Sequence, residues 1–268
     1  MPSLRKRGCS PLFPRVWPRR LPRGCLALSL GVSISAGAAQ SGLAYLGEEL
    51  KALQADPFAN PGLLWVDRGT ALWQASPAPG EPSCASCHGS PESLRGVIPA
   101  LPRWNPATQR LENLEGLIRQ CQSERQHQPP APFESAALLA LTTRLAHGAR
   151  GLPLSEAVAP EAAPALARGE AFFRERRGQL GLSCADCHER YKGARLRGDR
   201  VSEGMINGFP IYRLTWQTLG SRHRMFRWCN EAVRATPYPF GAEPYLELEL
   251  FLRHRGAGLP LETPAVRR

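Results

Sequence analysis

The chain has 268 residues, of which 34 are Lys or Arg and 23 are Asp or Glu, so its formal net charge is +11. Seven of the basic residues fall within residues 1–38, which contain no acidic residue, and the remaining chain has 27 basic against 23 acidic side chains. Because most of the excess charge lies in that first segment, the composition does not indicate a nucleic-acid-binding protein.

The first predicted element is a secretory signal over residues 1–38. A basic region is followed by the apolar run CLALSLGVSISAGAA and by a small-residue exit at Ala36, Gly37 and Ala38. The run is too short for a permanent membrane helix, and Cys25 precedes it, whereas a lipid-anchored cysteine would follow it. We therefore expect a soluble exported protein that is not attached to a membrane.

Two CxxCH motifs follow in the exported part, CASCH at 84–88 and CADCH at 184–188. In this pattern two thiols attach covalently to the haem, and the histidine that follows binds its iron. A zinc site or a redox dithiol does not need a histidine directly after each second cysteine. The motifs predict two c-type haems, with Cys84, Cys87, Cys184 and Cys187 as attachment residues and His88 and His188 as proximal iron ligands.

The two motifs belong to a repeat. Residues 67–88 align with residues 167–188 at a constant offset of 100, and RGLPL at 150–154 is matched by AGLPL at 257–261. Apolar periodicity predicts helices at 43–54, 62–75 and 161–177, and closing helices in APFESAALLALTTRLA and AEPYLELELFLRHR. Strand signals are sparse. We predict an all-α protein, a tandem pair of c-type cytochrome domains with long Pro/Gly-rich loops, over residues 39–155 and 156–268.

Two further cysteines occupy corresponding places in the units. Cys121 lies 12 residues before Phe133, and Cys229 lies 11 residues before Phe240, where each phenylalanine opens the closing segment. A c-type domain usually presents its sixth iron ligand in this region, and methionine is the usual residue. Cys121 and Cys229 are therefore candidate distal ligands.

Other interpretations of these cysteines remain open. The methionines are Met1, Met205 and Met225, so the first unit has none in the right place, and His127 and His147 are its alternatives to Cys121. In the second unit Met225 precedes Cys229 by four residues and shares its face if RMFRWCNEA is helical. Each cysteine could instead be a small buried residue, or the two could form a disulfide.

The sequence around Cys229 is rich in arginine. SRHRMFRWC places basic residues directly upstream, and others follow downstream: Arg222, His223, Arg224, Arg227, Arg234, Arg253 and Arg255. Cationic surroundings lower the pKa of a thiol, and guanidinium groups bind small oxyanions through paired hydrogen bonds. The pattern favours a reactive sulfur that meets an anionic substrate; a solvated arginine surface is the alternative.

The chain resembles the SoxA family over nearly all of residues 40–268. Four features carry the resemblance: the two CxxCH units, a cysteine at the distal position of each, the arginine-rich segment before RWCN, and the sequence that follows it. The resemblance implies a periplasmic L-cysteine S-thiosulfotransferase. With a small monohaem cytochrome partner, SoxX, the family joins thiosulfate oxidatively to a cysteine of a carrier protein, SoxYZ. Two electrons then leave through haem to a cytochrome acceptor.

The resemblance also implies roles for residues. Cys229 would be the catalytic cysteine, carried as a persulfide and bound to the haem of His188, while His88 and Cys121 would bind the iron of the remote haem. A basic residue upstream of the catalytic cysteine holds thiosulfate in the family. Because Met225 interrupts that basic run here, Arg224 and Arg227 share the assignment.

Two other functions remain open from the sequence. One is a dihaem thiosulfate dehydrogenase, which makes tetrathionate and needs no carrier protein. The other is an electron-transfer cytochrome in which Met225 binds the second haem and Cys229 is inert.

Overall fold

Eight α-helices supply most of the regular structure of residues 39–268, the part of the chain that the computed structural model describes. The predicted signal segment, residues 1–38, lies outside the described residues. None of the helices within residues 39–268 has the length and apolar character needed to cross a membrane. The helices are α1 (Glu48–Ala55), α2 (Leu63–Gln74), α3 (Cys84–His88), α4 (Leu114–Glu124), α5 (Ala136–Gly148), α6 (Ala163–Arg174), α7 (Arg222–Ala232) and α8 (Glu243–Arg255).

The described residues also contain short strands, which correct the all-α prediction to a mostly helical fold. Two antiparallel hairpins and a three-stranded sheet in the order β6-β5-β7, with β5 parallel to β7, are formed. Each strand has only two or three residues, too few for an alternating pattern to be recognised in the sequence. The strands are β1 (Arg103–Asn105), β2 (Arg110–Glu112), β3 (Arg195–Leu196), β4 (Asp199–Arg200), β5 (Ile211–Arg213), β6 (Thr218–Gly220) and β7 (Ala265–Arg267).

The predicted helices are present with small differences. The segment predicted as a helix at 43–54 contains a 3-10 turn, Gly42–Tyr45, and then α1, because Gly47 caps α1 in an extended conformation. The helix predicted at 161–177 is a 3-10 turn, Pro160–Ala162, followed by α6. Both closing helices, α5 and α8, are confirmed, and the cysteine-bearing segment around Cys229 is the helix α7.

The second half repeats the order of elements of the first. A leading helix (α2 or α6), a CxxCH turn, a short hairpin (β1-β2 or β5-β6), a cysteine-bearing helix (α4 or α7) and a closing helix (α5 or α8) follow one another. In each half the leading and closing helices pack together, α2 on α5 and α6 on α8. The N-terminus of each cysteine-bearing helix is capped by a side chain, Asn113 in α4 and Ser221 in α7.

Each half has its own apolar core beside its haem motif. Trp73, Leu141 and Leu145 belong to the first core, against which Cys84 packs. The second contains an aromatic group of Phe172, Phe173, Phe226, Tyr245 and Phe251, and Cys184 packs against it. Both CxxCH motifs therefore lie at the edge of a core.

The halves contact each other through equivalent segments. The rings of Phe133 and Phe240 stack with their centroids 6.2 Å apart. The two GLPL segments pair antiparallel at Pro153 and Pro260, with main-chain hydrogen bonds such as that from the N–H of Leu154 to the oxygen of Leu259, 2.9 Å. The proposed boundary between residues 155 and 156 thus falls beside a paired segment, and it stays a prediction.

Candidate active site

Three thiols meet in the second half. Cys184 and Cys187 come from the CADCH turn, which continues as a π-helical turn at Asp186–Arg190, and Cys229 comes from the middle of α7. All three are half-buried and none is in a disulfide. The sulfurs are close enough that the charges of Cys184 and Cys187, if ionised, would each raise the pKa of Cys229.

Burial dominates the acidity of Cys229. It raises the pKa of the thiol to about 12, and among the residues that the structure describes Arg213 is the cation that opposes this increase. Removal of the sulfur from water thus outweighs the charge of the protein's own cations. The sequence prediction of a pKa lowered by cationic surroundings and by haem iron stays a prediction.

His188 is held in the form that an iron ligand requires. Its ring Nδ1 lies 2.8 Å from the main-chain oxygen of Ser202 and must donate, since a carbonyl oxygen only accepts. Burial lowers the pKa of His188, so the ring is neutral and Nε2 keeps its lone pair. Gly204, with φ +73°, packs against the ring, where an added Cβ would lie 2.9 Å from Cγ. Two thiols for covalent attachment, a neutral imidazole and a facing sulfur fit a c-type haem.

The first half brings together the corresponding residues. Burial and the neighbouring Cys121 raise the pKa of Cys84, and burial and Cys87 raise the pKa of Cys121, so these three sulfurs are also close. Cys87 and His88 are exposed, and the His88 ring lies 5.8 Å from the ring of Trp73. Here too the donor set fits a c-type haem.

The alternative ligands of the first half face elsewhere. His127 lies on the surface with its Nδ1 2.9 Å from a carboxylate oxygen of Glu81. The pKa of His147 is lowered by burial and by Arg150 and Arg144, so its cationic neighbours are residues at the end of its own helix. Cys121 is therefore the candidate that the fold brings to the first motif.

Arg224 and Arg227, the predicted thiosulfate-binding residues, are both engaged by neighbouring elements. The guanidinium of Arg224 lies 4.2 Å from the ring centre of Trp216 and donates to the main-chain oxygen of Leu219 at 3.2 Å. The guanidinium of Arg227 lies 4.9 Å from the ring centre of Phe240. Neither appears among the charges that act on the pKa of Cys229. Their role in binding thiosulfate stays a prediction.

Other arginines that the sequence placed near Cys229 are also held away from it. They bind carboxylate groups or main-chain oxygens: Arg222 with Glu249, Arg253 with Ser155 and Ala157, and Arg255 with Glu203. The expected arginine cluster around the sulfur is therefore not formed by these residues.

Met225 packs against the second apolar core together with Cys184. The corresponding position of the first half is Leu117, which packs against the first core together with Cys84. Because a purely apolar leucine fills the same place in the other half, the contacts of Met225 are those of a packing residue.

Arg213 is the residue near Cys229 that the sequence did not single out. It ends strand β5, and the hairpin with β6 brings it back toward α7. Its guanidinium lies 4.5 Å from the ring centre of Trp228, the neighbour of Cys229 in the chain. No local motif marks it, because it is separated from Cys229 by a strand, a turn and half a helix.

Comparison with known proteins adds a family and a fold. A family model described as the SoxA/TsdA cytochrome c domain matches residues 68–154. The L-cysteine S-thiosulfotransferase subunit SoxA of Rhodovulum sulfidophilum is 33% identical over 229 residues, which cover 85% of this chain and 80% of that protein. The protein of the same name from Pseudaminobacter salicylatoxidans is 35% identical over 230 residues, with the same coverage. The crystal structure of SoxXA from P. pantotrophus superposes with a TM-score of 0.83 at 33% identity, over 86% of this chain and 87% of that one.

Proposed function

The chain belongs to the SoxA family, and we propose that it is the haem-bearing subunit of an L-cysteine S-thiosulfotransferase that joins thiosulfate to a cysteine of a carrier protein. The family resemblance seen in the sequence is thereby confirmed. The observation that carries the proposal is the meeting of Cys229 with the CADCH motif, beside a histidine whose Nε2 is kept free for iron.

Two c-type haems are part of the proposal, one in each half. The repeated order of elements supports this, because each half places a CxxCH motif, its core and a cysteine of the following helix together. The attachment residues are Cys84 and Cys87 in the first half and Cys184 and Cys187 in the second. The residues that would bind the irons are His88 with Cys121, and His188 with Cys229.

The overall reaction joins one thiosulfate dianion to one carrier thiol and releases one proton and two electrons. In our proposal the sulfur of Cys229 loses its proton and bonds to the terminal sulfur of thiosulfate, and the two electrons leave the site. A thiolate of the carrier then attacks that same sulfur and displaces the Cys229 thiolate, as in thiol–disulfide exchange. Haem, when bound, supplies the acceptor through which electrons pass to a partner cytochrome.

Partners and location complete the proposal. We place the chain in the periplasm, in a heterodimer with a small SoxX-like monohaem cytochrome, acting on a SoxYZ-like carrier. The similarity to a SoxXA complex supports the first partner. The carrier follows from the proposed activity, and the location follows from the signal predicted at residues 1–38.

Substitution of the catalytic sulfur tests the function. We expect Cys229→Ser to lower turnover of thiosulfate with the carrier at least about 1,000-fold, because removal of a covalent catalyst has effects of this order. Intact mass spectrometry should show both haems still attached. Glu231→Gln, at an exposed position on the same helix, is the matched control and should keep full activity.

The products distinguish the other functions. Retained turnover in Cys229→Ser would contradict the catalytic role. Tetrathionate formed by the wild-type protein without carrier would indicate a thiosulfate dehydrogenase instead. Intact mass spectrometry of the wild-type protein, before and after treatment with a thiol reductant, would show whether Cys229 carries an additional, reducible sulfur.

A further inference from the structure

The guanidinium of Arg213 is fixed on two aromatic rings. It lies 4.5 Å from the ring centre of Trp228 and 5.1 Å from that of Trp216. Its Nε donates to the main-chain oxygen of Arg268 at 2.7 Å. Within residues 39–268 its two terminal nitrogens, Nη1 and Nη2, have no hydrogen-bond partner and no ion pair, so the paired donors of the group are available to a ligand.

Arg213 is also next to the chain position of the proposed catalytic cysteine, because the ring on which it stacks belongs to Trp228, the residue directly before Cys229. Strand β5, which ends at Arg213, pairs with β6, and β6 is followed directly by the helix that bears Cys229. The Arg213 side chain is half-buried, and the carboxylate of Asp199 is a charge that acts on it. The cation is therefore partly removed from water, which strengthens its attraction for an anion.

The first half of the chain serves as an internal comparison. In the register that aligns Cys121 with Cys229, and β1-β2 with β5-β6, the position of Arg213 is occupied by Asn105. In the same register Gln120 replaces Trp228 and Thr108 replaces Trp216. The half with the remote cysteine thus has neither the cation nor the two rings that hold it.

Arg227 of α7, in contrast to Arg213, has a counterpart in the first half that makes the same contact. Arg227 stacks on Phe240 at 4.9 Å, and its counterpart Arg119 stacks on Phe133 at 4.1 Å. A contact made in both halves belongs to the shared scaffold. The residues that distinguish the Cys229 site from its copy are Arg213 and its two tryptophans.

We propose that Arg213 binds the sulfonate oxygens of thiosulfate through Nη1 and Nη2 and so directs the terminal sulfur of the substrate toward Cys229. A planar guanidinium matches an oxyanion with two parallel hydrogen bonds, which a lysine cannot reproduce. The inference rests on the proposed function and identifies the residue that holds its substrate.

Steady-state kinetics with thiosulfate and the carrier, on the purified haem-loaded complex, test the proposal. We expect Arg213→Gln to raise the KM for thiosulfate at least about tenfold, since it removes a charge-assisted hydrogen-bonding pair. Arg213→Lys, which keeps the charge but loses the paired geometry, should give an intermediate KM. Arg195→Gln removes an exposed arginine of the neighbouring β3-β4 hairpin and should leave the KM unchanged.

A second measurement separates substrate binding from a structural effect. Titration calorimetry of thiosulfate into each variant without carrier should show weaker binding in Arg213→Gln, with haem content and the haem reduction potential as in the wild type. An unchanged KM and unchanged binding in both Arg213 variants would overturn the proposal, as would a loss confined to haem content or potential. If Arg213→Gln does not fold, Arg213→Lys decides on the same criteria.

Failure of the function itself would look different. A wild-type complex that neither turns over nor binds thiosulfate refutes the proposed function. A wild type that turns over while Arg213→Gln matches its KM refutes only the role of Arg213.

Discussion

Glu115 is a buried carboxyl group whose Oε2 accepts no hydrogen bond within residues 39–268. It lies on α4 near Glu249 of α8, which accepts hydrogen bonds from Arg222 at 2.7 Å and from Asn113 at 3.0 Å. Nε2 of His223 lies 3.3 Å from the same carboxylate. Although burial opposes ionisation, Arg222 and His223 hold the pKa of Glu249 at about 2. Burial and the Glu249 charge together raise the pKa of Glu115, so of the two carboxyl groups Glu115 keeps the proton.

This difference predicts a pH-dependent stability. In the unfolded chain Glu115 ionises near its ordinary pKa of 4.5, whereas in the folded chain the pKa is higher. The stability that depends on this proton is therefore complete below about pH 4.5 and is lost as the pH rises toward the folded value. Glutamine stays neutral, so we expect the stability of Glu115→Gln relative to the wild type to increase between pH 4 and pH 7.

Urea unfolding at the two pH values measures this effect. Glu124→Gln, at the exposed end of the same helix, is the control and should show no such pH dependence. A Glu115→Gln variant that loses stability relative to the wild type on going from pH 4 to pH 7 would contradict the assignment of the proton.

At the scale of elements, each leading helix contacts its closing helix at a glycine. Gly69 of α2 and Gly169 of α6 stand at the same place in the repeat, 100 residues apart. An added Cβ at Gly69 would overlap the main-chain oxygen of Ala140 in α5, and one at Gly169 would overlap that of Glu247 in α8. The absence of a side chain thus sets how closely the leading helix approaches the closing helix, and with it the position of the following CxxCH motif.

Alanine at either glycine should destabilise the protein. Alanine favours a helix by about 1 kcal/mol over glycine. Overpacking costs roughly 1–3 kcal/mol, and because a main-chain oxygen cannot move aside we expect this cost to exceed the gain. We expect Gly69→Ala and Gly169→Ala each to lower the free energy of unfolding measured in denaturant. Gly96→Ala, where the added Cβ meets open space, should change it by less than about 0.5 kcal/mol. If all three variants had the same free energy of unfolding, the close approach of the helices would not depend on these glycines.

At the scale of the whole molecule, the N-terminal segment packs on the end of the chain. The Oε1 atom of buried Gln54 in α1 accepts from the N–H of Val266 at 3.1 Å and from Arg267 at 2.6 Å. Asn60 donates to the main-chain oxygen of Pro264 at 3.1 Å. These contacts hold β7 beside β5, the strand that ends at Arg213. The described beginning of the chain therefore supports the second half, which bears Cys229.

Removing this link should be costly. Gln54→Ala leaves the N–H of Val266 without its acceptor in a buried place, which costs about 1–3 kcal/mol, while Arg267 keeps its bond to the main-chain oxygen of Val266. We expect a fall of that size in the free energy of unfolding, measured in denaturant. Gln74→Ala, at the exposed end of α2, should have little effect. If Gln54→Ala lowered the free energy of unfolding no more than Gln74→Ala does, the hydrogen bonds of Gln54 would not contribute to stability.

Several features of the fold and site could be predicted because their signals are local. The closing helices follow from apolar periodicity, and their predicted positions agree with α5 and α8. The strands could not be predicted, since pairs of two or three residues are stabilised by their neighbours in space and not by their own pattern. The partners of the arginines could not be predicted for a related reason: Arg222 lies near Cys229 along the helix, but it forms an ion pair with Glu249 from a distant segment.

The sequence by itself determined the attachment chemistry and the family, because a CxxCH motif acts within five consecutive residues and the repeat, with its arrangement of cysteines, can be read along the chain. Only the tertiary structure decided which arginine packs on the residue next to Cys229. Arg213 lies 16 residues upstream of Cys229, and it stacks on Trp228 because β5 pairs with both β6 and β7 and because Trp216 also holds its side chain. Such contacts depend on the folding of distant segments against one another, which no spacing of residue types specifies.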